Sequence, residues 1–372
     1  MQVAIAGLGL MGGSLGLALR ERAAADVIGF DVNPDEARTA LERGCVDQLA
    51  ASFAEACADA DIIVIATPVS AIPAVVAQAL AAADPQATIT DIGSTKGHVV
   101  AGVPPQGRAR FVGGHPICGS EAHGAEHARA ALFLGATYFL TPSVESEPAR
   151  LSQLHALVTA IGARPVVIDA DAHDQIVGLT SHLPHVLANV LALQVADADV
   201  NGHQPLQSAG GSFRDMTRVA GANPAIWIDI FLDNRTALLD AVRDTRDRLA
   251  EVAAALEAGD EAFLARWIGR AAAARSEALA LAHRTAPADL HELIVSVPDR
   301  PGGISAIAET LSAAAINIEE FALSHFSPER GGELRIVVAG EAQAARAVDL
   351  LRADGCTATQ APVLEGALGG PE

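Results

Sequence analysis

The sequence predicts an α/β chain in three parts: alternating strands and helices over residues 1–170, an all-helical region over 171–285, and a small βαββαβ unit over 290–362. Three observations carry this. In the first region the short apolar runs VAIAGL, VIGFD, DIIVIATP, ATITDIG, RFVGG, ATYFLTP and RPVVIDA alternate with alanine-rich stretches, the pattern of a parallel sheet covered on both faces. From 171 onward strands cease, and segments such as NRTALLDAVRDTRDRLAEVAAALEAG place apolar residues at helical spacing with charges between them. After the linker TAPAD the order is strand HELIVSV, turn PDRPGG, helix ISAIAETLSAAA, strand INIEEFALSH, turn SPERGG, strand ELRIVVAG and helix EAQAARAVDLLRADG, a split-βαβ arrangement ahead of the tail LEGALGGPE.

Composition narrows the function classes. With 25 Lys+Arg against 45 Asp+Glu, the net charge of −20 repels nucleic acid and anionic membrane surfaces, and no local basic patch offsets it. The opening MQVAIAG reads as a strand rather than a targeting segment, and no apolar run is expected to reach the ~18 residues of a membrane span. Cysteines at 45, 57, 118 and 356 have neither CxxC nor metal-site spacing, which fits a reducing compartment. The expectation is a cytoplasmic protein with neither nucleic acid nor membrane as partner.

The first strand leads directly into GLGLMGG. Gly7, Gly9 and Gly12 have GxGxxG spacing between a strand and a helix, with Leu10 and Met11 between them. Such glycines allow a tight turn, close approach of a pyrophosphate, and close helix packing, so the first region is expected to be a Rossmann-type nucleotide-binding domain. The second strand ends at Asp31, 19 residues beyond Gly12, where an acid hydrogen-bonds a ribose 2′-hydroxyl and repels a 2′-phosphate. NAD is therefore expected over NADP, with Arg38 nearby as the one contrary sign. Thr67 and Pro68, closing the strand DIIVIATP, complete the candidate cofactor residues.

The chain's single lysine, Lys96, lies in DIGSTKG after the next long strand. It is either a leftover of an arginine-rich composition or, with Ser94, a group facing the nicotinamide end and an anionic substrate. Residues 112–124, VGGHPICGSEAHG, hold His115 before a proline, followed by Ser120 and Glu121. A histidine there is either a buried structural group or a proton acceptor. The helical region opens with HDQIVGLTSHLPH, in which Ser181, His182 and His185 lie within about one turn. No HExxH or carboxylate set accompanies them, so no metal is expected, and either helix packing or substrate contact explains the pair. Arg214, Asp215 and Arg218 in SAGGSFRDMTRVAGANP are either solvated or placed to hold a carboxylate bidentately.

GLGLMGGS, DIGSTKG, GGHPICGSE, SHLPH and GGSFRDMTR, in this order and spacing, resemble the prephenate and arogenate dehydrogenases of tyrosine biosynthesis. The resemblance reaches to about residue 285 and implies that the helical region forms a homodimer. It also implies that His115 is catalytic, that Ser94 hydrogen-bonds it, and that His182, His185 and Arg218 line the substrate pocket. The expected activity is NAD-dependent oxidative decarboxylation of prephenate to 4-hydroxyphenylpyruvate, with His115 accepting the C4 hydroxyl proton and the glycines of GGHP leaving room for the ring. The C-terminal unit resembles an ACT domain, with Asp299, Gly302 and Gly303 at its first strand-to-helix turn as a candidate effector site and tyrosine as the candidate effector. Three other readings stand beside this one: an arogenate dehydrogenase, a β-hydroxyacid-type dehydrogenase, disfavoured because 171–285 holds no lysine, and a non-catalytic amino-acid sensor.

Overall fold

The computed structural model describes residues 1–119, 122–283, 289–297, 300–327 and 331–362. Along the first region run β1 (Gln2–Ala6), α1 (Leu10–Arg22), β2 (Asp26–Phe30), α2 (Pro34–Glu42), β3 (Gln48–Leu49), α3 (Phe53–Ala58), β4 (Ile62–Ile65), α4 (Ile72–Ala82) and β5 (Thr88–Asp91). They are followed by α5 (Gly97–Gly102), β6 (Phe111–Pro116), β7 (Thr137–Pro142), α6 (Pro148–Ala160) and β8 (Arg164–Val167). The strands form one sheet in the order β3-β2-β1-β4-β5-β6-β7-β8. Alternation along β1 explains the two-sided core, because successive side chains leave a strand on opposite faces. Val3 and Ile5 pack with Leu15 and Leu19 of α1 and Leu154 and Val158 of α6, whereas Ala4 packs with Ile63, Val76 and Ala79 on the side of α3 and α4.

The sheet is mixed rather than wholly parallel. β6 and β7 pair antiparallel, His115 opposite Phe139, while β1 to β6 run parallel, as do β7 and β8. A parallel return needs a crossover that brings the chain back to the starting edge. Here the link between β6 and β7 carries only two short 3-10 turns, Ala125–His127 and Ala130–Phe133, packed on α1, so β7 starts where β6 ends. The His115 end of β6 thus leads into this link.

The helical region begins with α7 (Ala170–Val177) and α8 (Leu183–Ala196), joined by a π turn at Gly178–His182. The Leu183 N–H reaches back to Gly178 O, and the widened turn adjoins Pro184, which lacks an N–H and crowds a normal turn. The helix Ala170–Ala196 is long and apolar enough to cross a membrane by length and composition alone, an 18-residue window of it having mean hydropathy 1.5, which corrects the expectation that no apolar run reaches that length. Counting unbroken apolar runs missed it because polar residues punctuate the helix, and His173, Asp174 and His182 among them are buried. There follow α9 (Gly211–Thr217), α10 (Pro224–Asp233), α11 (Arg235–Ala258) and α12 (Glu261–His283).

The chain divides into two compact units, Met1–Thr245 and Arg246–Glu372. In the second, β9 (Leu290–Val297), α13 (Gly303–Ala313), β10 (Glu320–Ser327), β11 (Gly331–Ala339), α14 (Glu341–Ala353) and β12 (Ala358–Pro362) form the expected βαββαβ unit. Its antiparallel sheet has the order β10-β11-β9-β12, and Leu293, Val295, Ile336 and Val338 pack against Ile307, Leu311 and Leu351. Gly302 caps α13 with φ +89°, a conformation that favours glycine, beside Gly303. Asp299 lies outside the described residues.

The expectation that Lys96 faces the substrate is corrected by its burial. Both Lys96 and Asp91, at the end of β5, are fully buried, and the lysine Nζ donates to Asp91 Oδ2. An ammonium is stable out of water only beside a compensating charge, and Asp91 supplies it. Burial pulls the Lys96 pKa down, opposed chiefly by Asp91. Asp91 is also tied to the backbone, accepting from Gly93 N at 2.8 Å and Gly114 N at 3.1 Å. Lys96→Met is expected to destabilise the fold by ~3–5 kcal/mol, because the carboxylate is left buried without its counter-charge. Adding Asp91→Asn should recover much of that loss. Urea unfolding of the single and double variants measures both, and a single-variant loss under ~1 kcal/mol would show that the pair is not what holds this loop.

Candidate active site

At the nucleotide end the chain turns at Gly7, with φ +94°, and a Cβ there would lie 2.5 Å from Ala66 O. A Cβ on Gly12 would lie 1.9 Å from Gly7 O, so helix and turn approach as only glycine permits. Gly9, by contrast, faces open space and precedes α1 without a side-chain cap, leaving first-turn amides free for an anion. Leu10 is buried in the core and Met11 packs beside it, so these two contribute backbone rather than side chain to this end. Asp31 accepts from Leu8 N at 2.6 Å and Asn33 N at 2.7 Å, which fixes its carboxylate beside the turn. Arg38 pairs with Asp35 on the exposed side of α2. Thr67 Oγ1 is buried without a hydrogen-bond partner next to the Gly7 turn, and Pro68 is exposed beside it. An open glycine cradle, a positioned carboxylate and an unpartnered hydroxyl fit a dinucleotide.

At the other end His115 closes β6 and is only partly buried. The residues before it are constrained: a Cβ on Gly114 would lie 2.6 Å from Asp91 O, and one on Gly113 2.3 Å from Thr141 Oγ1. These glycines seat β6 against its neighbours, which corrects the expectation that they leave room for a ring. His115 Nδ1 lies 2.8 Å from His173 Nε2, and His173 Nδ1 lies 2.8 Å from Asp174 Oδ1. Asp174 in turn accepts from the amides of Lys96, at 2.8 Å, and Gly97, at 2.7 Å. That caps α5, which has no side-chain cap of its own. Burial would raise the Asp174 pKa, but the hydrogen bonds from His173, Gly97 and Lys96 hold it below the usual value. Burial, then the neighbouring His173, Lys96 and His182, push the His115 pKa well below 6.5, so its imidazole is neutral at neutral pH.

Ser94 lies in the loop before Lys96 and does not hydrogen-bond His115, whose one hydrogen bond among the described residues joins Nδ1 to His173. His182 is buried with Nδ1 3.1 Å from Asn234 Nδ2, and burial carries its pKa down to about 4. Asn234 also donates to Asp174 O at 2.7 Å, so His182 and the His115 chain share one scaffold. His185 stacks on Trp227 of α10, ring centroids 3.4 Å apart, with the edge of His182 facing the same indole. Ser181 is half-buried in the π turn, and Arg218 is exposed on the turn after α9, a segment that packs on α8. Ser120 and Glu121 lie outside the described residues. Among the described residues, no group of three or more His, Cys, Asp or Glu could hold a metal ion.

The structure therefore brings His115, His182 and His185 to one region, with Lys96 beneath it, and sets the Arg218 segment on the helix that carries His185. Sequence reasoning missed His173, Asp174, Trp227, Asp233 and Asn234. Asp233 binds Thr95 Oγ1 and lies 2.9 Å from His98 Nδ1, adding a second tie between the helical region and the loop after β5. Two signals were available: an adjacent His-Asp pair in the first turn of α7, and the tryptophan and two polar residues spaced along α10 and its end.

Comparison with known proteins agrees with this geometry. Residues 15–167 match the prephenate dehydrogenase nucleotide-binding domain, 169–270 the prephenate dehydrogenase dimerization domain, and 291–356 the ACT domain. The chain is 34% identical to the prephenate dehydrogenase of Bacillus subtilis (strain 168), over 90% of this chain and 91% of that one. It is 31% identical to the prephenate dehydrogenase of Lactococcus lactis subsp. cremoris, over 86% and 89%. Among solved structures, prephenate dehydrogenase from A. aeolicus in complex with hydroxyphenyl propionate and NAD+ is similar with TM-score 0.71 and 28% identity, covering 74% of this chain and 98% of that one. Synechocystis arogenate dehydrogenase is similar with TM-score 0.68 and 28% identity, over 74% and 99%. The similarity thus runs over nine-tenths of a relative's length, and the chain belongs to the prephenate dehydrogenase family.

Proposed function

We propose that this chain oxidises prephenate with NAD, releasing CO₂ and 4-hydroxyphenylpyruvate. The observation that carries the reading is His115: a neutral imidazole at a strand end, one nitrogen held by His173 and Nε2 without a hydrogen bond to any described residue. Bound NAD supplies the acceptor for the C4 hydride, and the Gly7–Gly12 turn, Asp31 and Thr67 are the residues to hold it. His115 Nε2 takes the C4 hydroxyl proton as the carbonyl forms. The electrons of the bond to the departing carboxylate then pass through the ring to that oxygen, and His115 returns the proton to the resulting phenolate. Aromatisation drives the second step.

Arg218 is assigned to the ring carboxylate, because a guanidinium holds a carboxylate by two parallel hydrogen bonds. His182, His185 and Ser181 line the ring, and Ser94 lies toward the nicotinamide. We place the functional divisions at 1–170 for nucleotide, 171–285 for substrate and homodimer formation, and 290–362 for an effector, with tyrosine as that effector through the Gly302–Gly303 turn and the cytoplasm as the compartment. Exposed Ile176, Leu179, Val190 and Leu193 on the helix Ala170–Ala196 support the homodimer.

NADH formation tests the activity directly, with prephenate and arogenate compared at equal concentration and NAD compared with NADP. Prephenate with NAD should give the highest kcat/KM; faster arogenate turnover would reassign the substrate, and equal use of NADP would remove the role given to Asp31. His115→Asn should retain NAD binding while kcat falls by ~10²–10⁴-fold, the usual size of a lost general base. The pH profile follows from the lowered pKa. A base is active when deprotonated, so kcat/KM should hold from neutral pH downward and fall only below 6.5, as His115 gains its proton. An acid limb centred above 6.5 would contradict the desolvated environment of His115. Tyrosine should lower activity without competing with prephenate, and strictly competitive inhibition would place it at His115 instead.

A further inference from the structure

We infer that His173 and Asp174 are positioning residues that set the tautomer of His115, leaving the lone pair on Nε2 where the substrate proton arrives. The inference rests on His115 being the base proposed above. It begins from a constraint on donors and acceptors. An ionised carboxylate only accepts, and Asp174 already takes two backbone N–H groups, so the 2.8 Å contact with His173 Nδ1 is a hydrogen bond that His173 donates. With a single proton on the His173 ring, that donation leaves the lone pair on Nε2, 2.8 Å from His115 Nδ1. His115 must donate there, and the ring nitrogen a neutral imidazole leaves unprotonated is Nε2.

Several contacts keep the chain in this order. His173 is fully buried, and the edge of its ring meets Phe139, at a centroid distance of 5.3 Å. Asp174 is fixed from the backbone side by the amides of Lys96 and Gly97, and a Cβ on Gly97 would lie 2.9 Å from its Oδ2. When His115 Nε2 takes the proton, the new charge is shared through Nδ1–H with His173 and faces the Asp174 carboxylate. Among the described residues, the other charged or titratable groups that act on His115 are His182 and Lys96, whose charge is met by Asp91.

The test combines kinetics with nitrogen spectroscopy on the full chain. Glutamine places an acceptor near the position of an imidazole Nε2, whereas leucine removes it. His173→Leu should lower kcat by ~10–10²-fold, part of the range a general base supplies, with KM for both substrates within about threefold. His173→Gln should regain most of that loss. In ¹⁵N-histidine-labelled wild type, with His115 assigned through His115→Asn, Nε2 should show the shift of an unprotonated nitrogen and Nδ1 that of a protonated one. Asp174→Ala, which removes the acceptor held against His173 Nδ1, should move part of the population to the other tautomer. Equal losses in the leucine and glutamine variants, or a wild-type lone pair on Nδ1, would overturn the inference, and the wild-type spectrum decides even where a variant fails to fold. Near wild-type turnover of His115→Asn would instead sink the base assignment. Loss in His115→Asn with full kcat in His173→Leu would sink the relay alone.

Discussion

The carboxylate of Asp174 joins the two halves of the first unit. It belongs to the first turns of α7, yet it accepts the amides of Lys96 and Gly97 at the start of α5 and a ring N–H of His173. Buried amides need partners, and α5 has none of its own, so without Asp174 the loop after β5 would lose its cap. The helical region is therefore docked on the sheet by the same group that aligns the histidines. Asn234 and Asp233, at the end of α10, bind the other sides of this junction through Asp174 O, His182 and Thr95.

A second carboxylate does the corresponding work below. Asp91 accepts amides of Gly93 and Gly114 and neutralises Lys96, so the segment from 91 to 97 is tied at one end to Asp91 and at the other to Asp174. This explains why β6 carries consecutive glycines before His115. The strand must lie close enough to β5 for the Gly114 amide to reach Asp91, and a side chain at 114 would meet Asp91 O. The histidine is placed by what the two residues before it lack.

Much of the architecture was legible because it repeats. Short apolar runs marked β1, β2, β4 to β8 and the C-terminal strands, and GxGxxG spacing marked the Gly7 turn, since only glycine tolerates φ +94° there without strain. The direction of β7 was not legible, because strand pattern does not encode orientation and the β6–β7 link holds no helix whose length would report a crossover. At the site, His115 and His182 stood out as histidines beside proline, or one residue from it, in small or apolar surroundings. Lys96 stood out too, but rarity says nothing about direction, and its partner Asp91 lies inside a run that reads simply as strand. His173 and Asp174 were hidden for the opposite reason. They open a helix, where an acidic residue is ordinary, and their partners are 58 and 78 residues away in sequence.

These two carboxylates divide the electrostatics of the region. A base that must be neutral before reaction and cationic during it needs surroundings that disfavour standing charge yet stabilise a transient one. Lys96 is already matched by Asp91, so the pair presents His115 with little net charge while its ammonium still discourages protonation in the resting state. Asp174 is reached from His115 only through His173, one ring farther away. Its influence is therefore directional, acting through a hydrogen bond that strengthens as the proton arrives rather than as a contact ion that would hold His115 protonated beforehand. Placing the carboxylate directly against His115 would raise the resting pKa and fill the base before substrate bound. The intervening His173 is what lets the same buried carboxylate orient the base without saturating it.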